Sequence, residues 1–343
     1  MERVLFYFGL GLSLSLPALA QPVRLTLDTS EADASLAVLE KESARGLPSS
    51  ADWDAIFVTA PYRLLQTRET AFHNTRFDEA FRAYLTSPDA IARTADLRAT
   101  LHSWQRTNLE AAAERVLSYL PGGARIRAQV YPVIKPAKNS FVWATADERA
   151  IFLYLNPSLN TKQFENKVAH ECHHIGLESL NVKQEAVWKE LLEPQQTAIR
   201  WMGGFGEGEA MLAAAGSADV HPHAQDDEVA RARWDSEMAH FDENLVAVQQ
   251  FLLDILAGRI KEPDDIARKA EPFYGEQGAF YTVGYRMAAM VERRFGRQSL
   301  TDAMIDPRKL LLLYNRAAAE EEQRQNRKMA MWSPQPLSKL DRK

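Results

Sequence analysis

The sequence predicts a mainly helical α+β protein. A small, largely antiparallel β-sheet precedes one motif-bearing helix, with helical regions on either side. Three observations predict this. Apolar residues recur at three- and four-residue steps over most of the chain, the period of a helix face. Between residues 125 and 155 that period gives way to alternation and β-rich runs. Immediately afterwards the chain reads His170-Glu171-Cys172-His173-His174 within a renewed helical period.

Taken in order, residues 1–20 read as a segment removed before folding. Met1-Glu2-Arg3 is a short polar start, residues 4–16 are apolar apart from Gly and Ser, and Pro17-Ala18-Leu19-Ala20 ends in an Ala-x-Ala pattern. This predicts a bacterial-type signal peptide cleaved after Ala20, hence a periplasmic or extracellular protein. The amino-terminal region departs from the usual form, since Glu2 cancels Arg3. The apolar run is shorter than the ~20 residues that span a bilayer, so no stable membrane insertion is expected after cleavage. The 343-residue chain carries a net charge of −5 with no basic tract, which argues against a nucleic-acid partner. Its single Cys permits no internal disulfide.

Residues 23–27 alternate in strand fashion, and Asp28-Thr29-Ser30 starts a helix. Residues 31–118 are mostly helical, with Leu36, Val38 and Leu39, then Trp53, Ile56 and Phe57, then Phe77, Phe81 and Tyr84 on the helical period. Residues 89–119 read as one long helix closed by Pro121-Gly122-Gly123. Three strands follow, at 125–134, 141–145 and 150–155, and the last could pair with an extended substrate if it is a sheet edge. Asn160 with Gln163 forms a capping box, so the motif helix runs from about 161 to 180. A break at Trp201-Met202-Gly203-Gly204-Phe205-Gly206 precedes a helix near 207–215. His221-Pro222-His223 opens a polar loop. Helices near 227–258, 263–270, 277–296 and 307–328 lead to a frayed last dozen residues. Beyond the signal peptide, this divides the chain into an N-terminal helical region (21–118), a core of the small sheet, the motif helix and the helix near 207–215 (119–220), and a C-terminal helical region (221–343).

His170-Glu171-x-x-His174 places two imidazoles on one helix face, about 5–6 Å apart at Cβ. Two imidazoles so placed can close on one zinc ion, and the adjacent carboxylate can act on a metal-bound water. From His170, His174 lies at about 40° and Glu171 at about 100°, within one arc, while His173 at about −60° is expected beside the metal shell or at the surface. Cys172, at about 200°, is expected to be a small buried residue. A catalytic zinc takes three protein ligands and keeps one open position. Leu177 and Leu180 stand where a three-histidine class needs Gly and His. Glu178 lies about 12 Å along the axis, too far to share the ion. The best source of the third ligand is Gly206-Glu207-Gly208-Glu209-Ala210, whose glycines let two helices approach closely. Glu207 and Glu209 are about 200° apart, so only one can face the metal. His221 and His223 are expected to be solvated.

At these residues the chain resembles the gluzincins, zinc peptidases that pair His-Glu-x-x-His with a Glu on a downstream helix, often in a Glu-Gly-x-Ala setting. The resemblance implies Glu207 as the third ligand to one zinc ion, with Glu171 as general base. In gluzincin aminopeptidases a Tyr-x-x-Gly on a later helix supplies an oxyanion-stabilising phenol. Tyr281-Thr282-Val283-Gly284 matches it and implies that role for Tyr281, ahead of Tyr274 and Tyr285. Gly284 and Ala288 would form a small-residue stripe for helix packing. The Gly-x-Met-x-Asn element of those aminopeptidases is absent, so exopeptidase activity is not implied. The overall layout resembles exported bacterial proteins described as zinc-dependent peptidases. The expected function is therefore a secreted zinc peptidase acting on peptide or protein substrates. The alternatives are a secreted binding protein with a structural zinc and a zinc hydrolase of another amide or ester.

Overall fold

The computed structural model describes residues 21–144, 149–275 and 277–340. The expected signal peptide lies outside the described residues. The chain starts with β1 (Val23–Leu27). It continues through α1 (Ser30–Ser43), α2 (Ser50–Phe57), α3 (Ala60–Ala71), α4 (Phe77–Leu85), α5 (Pro88–Ala92), α6 (Thr94–Trp104) and α7 (Leu109–Leu117). Strands β2 (Ile126–Val133), β3 (Phe141–Ala144) and β4 (Arg149–Tyr154) follow. After them come α8 (Thr161–Glu178), α9 (Asn181–Trp188), α10 (Glu193–Met202) and α11 (Gly206–Ala215). The remainder is α12 (Glu228–Ala239), α13 (Phe241–Leu256), α14 (Pro263–Tyr274), α15 (Ala279–Phe295), α16 (Arg297–Ala303), α17 (Pro307–Gln325) and α18 (Pro334–Leu340). The molecule is thus mainly helical with one small sheet, as predicted.

The sheet is mixed rather than largely antiparallel, with strand order β1-β2-β4-β3. β1 pairs parallel with β2 (Val23↔Ile126), and β2 pairs parallel with β4 (Val130↔Ile151). Only β3 and β4 are antiparallel (Val142↔Ile151). Parallel pairing requires a long crossover, and α1–α7 supply it between β1 and β2. After β2 the chain passes to the far edge as β3 and returns as β4 between the two. β4 is consequently not an edge. Its residues from Ala150 onward are buried without alternation, as befits a strand covered on both faces.

Helix α8 begins as its sequence dictates. The Asn160 side chain accepts from the backbone N–H groups of Lys162 and Gln163, and Gln163 Oε1 accepts from Asn160 N at 2.8 Å. Trp104 of α6 stacks on Phe164 at 4.2 Å between ring centroids and holds the amino end of α8. Further along, Gly176 sits against Leu120 and Ile126, fitting α8 closely to β2. Helix α11 lies on α15 almost backbone to backbone. A Cβ on Gly208 would come within 1.9 Å of Tyr285 N, and one on Gly284 within 2.4 Å of Phe205 O. Close packing was expected at Gly208 and at Gly284 separately; the structure shows that the two helices meet each other.

Three local expectations are corrected. Residues 89–119 form three helices, because Ser87 caps α5 and Asn108 caps α7, each accepting a backbone N–H. Residues 227–258 divide at His240 into α12 and α13. The chain end is not frayed up to Leu340. α18 docks with Pro336 and Leu340 buried, Gln195 Nε2 donates to Lys339 O (2.7 Å), and the preceding Trp332 is buried beside Met287.

Candidate metal centre

The backbone proximity of α8 and α11 decides the site. α8 presents His170 and His174 one turn apart, and α11 presents Glu207 toward them. His170 Nε2 and His174 Nε2 are 3.0 Å apart. Glu207 Oε2 lies 3.2 Å from the first and 3.3 Å from the second. Zinc with tetrahedral bonds of ~2.0–2.1 Å sets neighbouring donors ~3.3 Å apart. The triangle has that size, and two neutral-type nitrogens with one carboxylate oxygen is a common zinc donor set. The residues present therefore fit the ion. Among the described residues they are the one group of three His, Cys, Asp or Glu side chains so gathered.

The surroundings polarise this triangle. Burial pushes the Glu207 carboxyl up, but hydrogen bonds from His170 and His174 outweigh it and hold the group well below the usual carboxylate range. Burial pushes His174 down, and the Glu207 carboxylate more than reverses this, so its affinity for a proton is raised. Each shift reports the same contact from one side. A cation placed between these donors would take over the role that shared protons play here.

The triad lies in a wall between two cavities. On one side is a cleft of about 430 Å³ lined by His170, Glu171, Tyr281, Leu153, Tyr154 and His223, among others. Glu171 thus shares the open side with His170. The Tyr281 ring lies nearly parallel to that of His170, 12° between planes and 6.3 Å between centroids. Burial and then the nearby Glu207 charge push the Tyr281 phenol up, keeping its proton. Tyr285 points elsewhere, its hydroxyl donating to Val220 O at 3.3 Å. Tyr274 is partly exposed and feels the Glu207 charge, but does not line this cleft.

On the other side is a cavity of about 350 Å³ lined by His174 and Glu209. Glu209 is only 5% exposed, and burial pushes its carboxyl up to about 7. Helix geometry foresaw that Glu207 and Glu209 would diverge; which one meets the histidines required α8 to be in place. Glu178 is bound to Arg149 by two bonds of 2.8 Å, away from the triad.

Two side chains depart from expectation. His173 is neither at the surface nor bonded beside the metal donors. It is fully buried, and neither ring nitrogen has a hydrogen-bond partner. Burial holds its pKa well below the usual histidine value. It packs on the side of α8 turned toward the core, which its angle of about −60° from His170 did not by itself reveal. Nor is His223 solvated. It is 12% exposed and lines the cleft, donating from Nδ1 to Asp226 (2.7 Å), while Gln277 Nε2 donates to its Nε2 (3.1 Å). Asp226 also accepts from Gln163 Nε2 at 3.0 Å. Gln163, the capping-box partner of Asn160, therefore anchors the loop as well. The sequence signal was His223-x-x-Asp226, outweighed there by the polar flanks. Cys172 is fully buried, as expected.

A family model described as "Putative zinc dependent peptidase (DUF5700)" matches residues 53–323, which include every residue of the triad and cleft walls named above. No curated protein and no solved structure matches the chain.

Proposed function

The chain belongs to the family described as putative zinc dependent peptidase, and we propose that it is an exported, gluzincin-type peptidase that hydrolyses peptide bonds at the His170–His174–Glu207 site. The observation that supports this most is the donor triangle of 3.0–3.3 Å edges opening onto a cleft that Glu171 and Tyr281 also line. A single zinc ion held by His170, His174 and Glu207 would supply Lewis acidity and bring the pKa of water near ~7.

The protein's own groups divide the remaining work. Glu171 takes the proton of the attacking water and delivers it to the leaving amine. Tyr281, held protonated, donates to the oxygen on which negative charge develops, an interaction made mainly in the transition state. The substrate lies in the cleft between the carboxyl end of β4, which brings Leu153 and Tyr154, and the open face of α8. β3, which among the described residues pairs on one side only, offers the edge for an extended chain that β4 does not.

A purely structural zinc is disfavoured by the same geometry. Such sites are closed by four protein ligands, whereas this group offers three donors beside an open cleft. The test is zinc content together with chelator-sensitive cleavage of a mixed peptide library. Glu171→Gln should keep about one zinc per chain and lose ~10²–10⁴-fold in turnover, the usual share of a general base. Full activity in Glu171→Gln, or cleavage only of non-peptide amides or esters, would overturn the reading.

A further inference from the structure

The geometry points to the cavity on the His174 side of the triad as a subsite for a cationic group carried on an aliphatic stem, that is, a lysine or arginine side chain of the substrate. Its acidic group is Glu209. Glu209 is only 5% exposed and lines the cavity, and among the described residues its side chain has no hydrogen bond or ion pair. A buried carboxylate with no donor is costly, and proteins retain such groups where a ligand or a function compensates.

The rest of the lining fits the same ligand. Trp188, Ile199, Met202 and Phe205 are buried and apolar, suited to a hydrocarbon stem. Glu178 and Glu185 stand at the exposed rim, Glu178 already paired with Arg149. The lining's one guanidinium, Arg200, is exposed and donates to Gln196. The excess of negative charge attracts a cation, and the buried unpaired carboxylate fixes where its charged end goes. His174 lines the same cavity and belongs to the triad. A residue seated here would therefore lie against the metal donors, on the opposite side of the triad from Glu171. Glu209 acts in specificity and not in the bond-breaking step. This inference rests on the peptidase reading for its substrate, but the cation site itself does not.

The experiment has two arms. Acetylated and amidated peptides that differ at one position between Lys, Arg and norleucine are offered to the zinc-loaded protein, so that no terminal amine competes. The wild type should prefer Lys or Arg to norleucine by at least tenfold in kcat/KM, and Glu209→Gln should bring that ratio near one. A wild-type ratio near one, or an unchanged ratio in Glu209→Gln, overturns the subsite. If no peptide is cleaved, the peptidase reading fails, and the second arm still decides. Butylammonium and butylguanidinium are titrated into Glu171→Gln and into Glu171→Gln/Glu209→Gln of equal zinc content and melting temperature. Saturable binding weakened at least tenfold by Glu209→Gln supports the site, and the tighter cation says whether it suits lysine or arginine. Equal binding to both proteins overturns it.

Discussion

At the residue scale, the donor triangle depends on three side chains and not on charge in general. Replacing His170, His174 or Glu207 by Ala leaves two donors, and two donors hold zinc poorly. Each variant should fall from about one zinc per chain to near none after dialysis, by elemental analysis. Glu209→Gln should keep its zinc, because its carboxyl faces the other cavity. If Glu209→Gln loses the ion while Glu207→Ala retains it, the ligand assignment is wrong. The two glutamates illustrate how burial alone does not set a role. Both lie in cramped surroundings, but Glu207 meets two imidazoles and is held low, whereas Glu209 meets none within bonding distance and is pushed up.

At the element scale, two junctions carry the arrangement. The first is the contact between α11 and α15 at Gly208. A Cβ there meets Tyr285 N at 1.9 Å and Tyr281 O at 2.4 Å, both backbone atoms that cannot swing aside. Overpacking of this kind costs about 1–3 kcal/mol or more. Gly208→Ala should lower the melting temperature by several degrees and weaken zinc binding, since α11 must shift and Glu207 shifts with it. A variant with unchanged melting and zinc affinity would show that the helices part easily. The second junction ties α1 to the end of β2. Buried Glu31 accepts from Ser35 Oγ (2.7 Å) and from Ile134 N (3.0 Å). Burial nevertheless pushes its carboxyl up to about 8. A folded pKa above the unfolded value means stability that is complete below the unfolded pKa and lost as pH rises through the folded one. Between the ordinary value of 4.5 and about 8, this one group should therefore lower stability as pH rises, by up to about 1.4 kcal/mol per unit. Urea unfolding at pH 5 and pH 8 should show the decline in wild type and a flatter profile in Glu31→Gln. Equal slopes would count against it.

At the scale of the whole molecule, the site joins segments that are distant in sequence. α8 rests on β2 and α7, α11 on α15, and the C-terminal α18 closes over α13. One hydrophobic core runs through all of them, from Val23 to Leu340. A ligand that binds only the folded chain stabilises it by mass action, ~2.7 kcal/mol at one hundred times Kd. A chelator should therefore lower the melting temperature by several degrees, with recovery on added zinc. The effect should vanish in the His170→Ala/His174→Ala protein. A chelator response of equal size in that variant would place the stabilising metal elsewhere.

The motif helix, its capping box, the pairing of His170 with His174 and the close contact around Gly208 and Gly284 were all legible in the sequence. Each depends on neighbours within a few residues or on the absence of a side chain. The strand partners were not legible. Whether β4 pairs parallel with β2 or lies at an edge depends on where a distant strand, β1, enters. Local pattern offered His223-x-x-Asp226 but not that His223 turns inward, because Gln277, which donates to it, and Gln163, which holds Asp226, come from other segments. The choice of Glu207 over Glu209 is intermediate: the chain restricted it to two residues, and the packing of α11 between α8 and α15 chose one. By itself the sequence determined which donors were available and their spacing along a helix, since those follow from residue identity and a fixed rise and turn. Only the tertiary structure decided which donors meet, which carboxylate is left unpaired and where the cleft opens, because those depend on how far apart the helices pack.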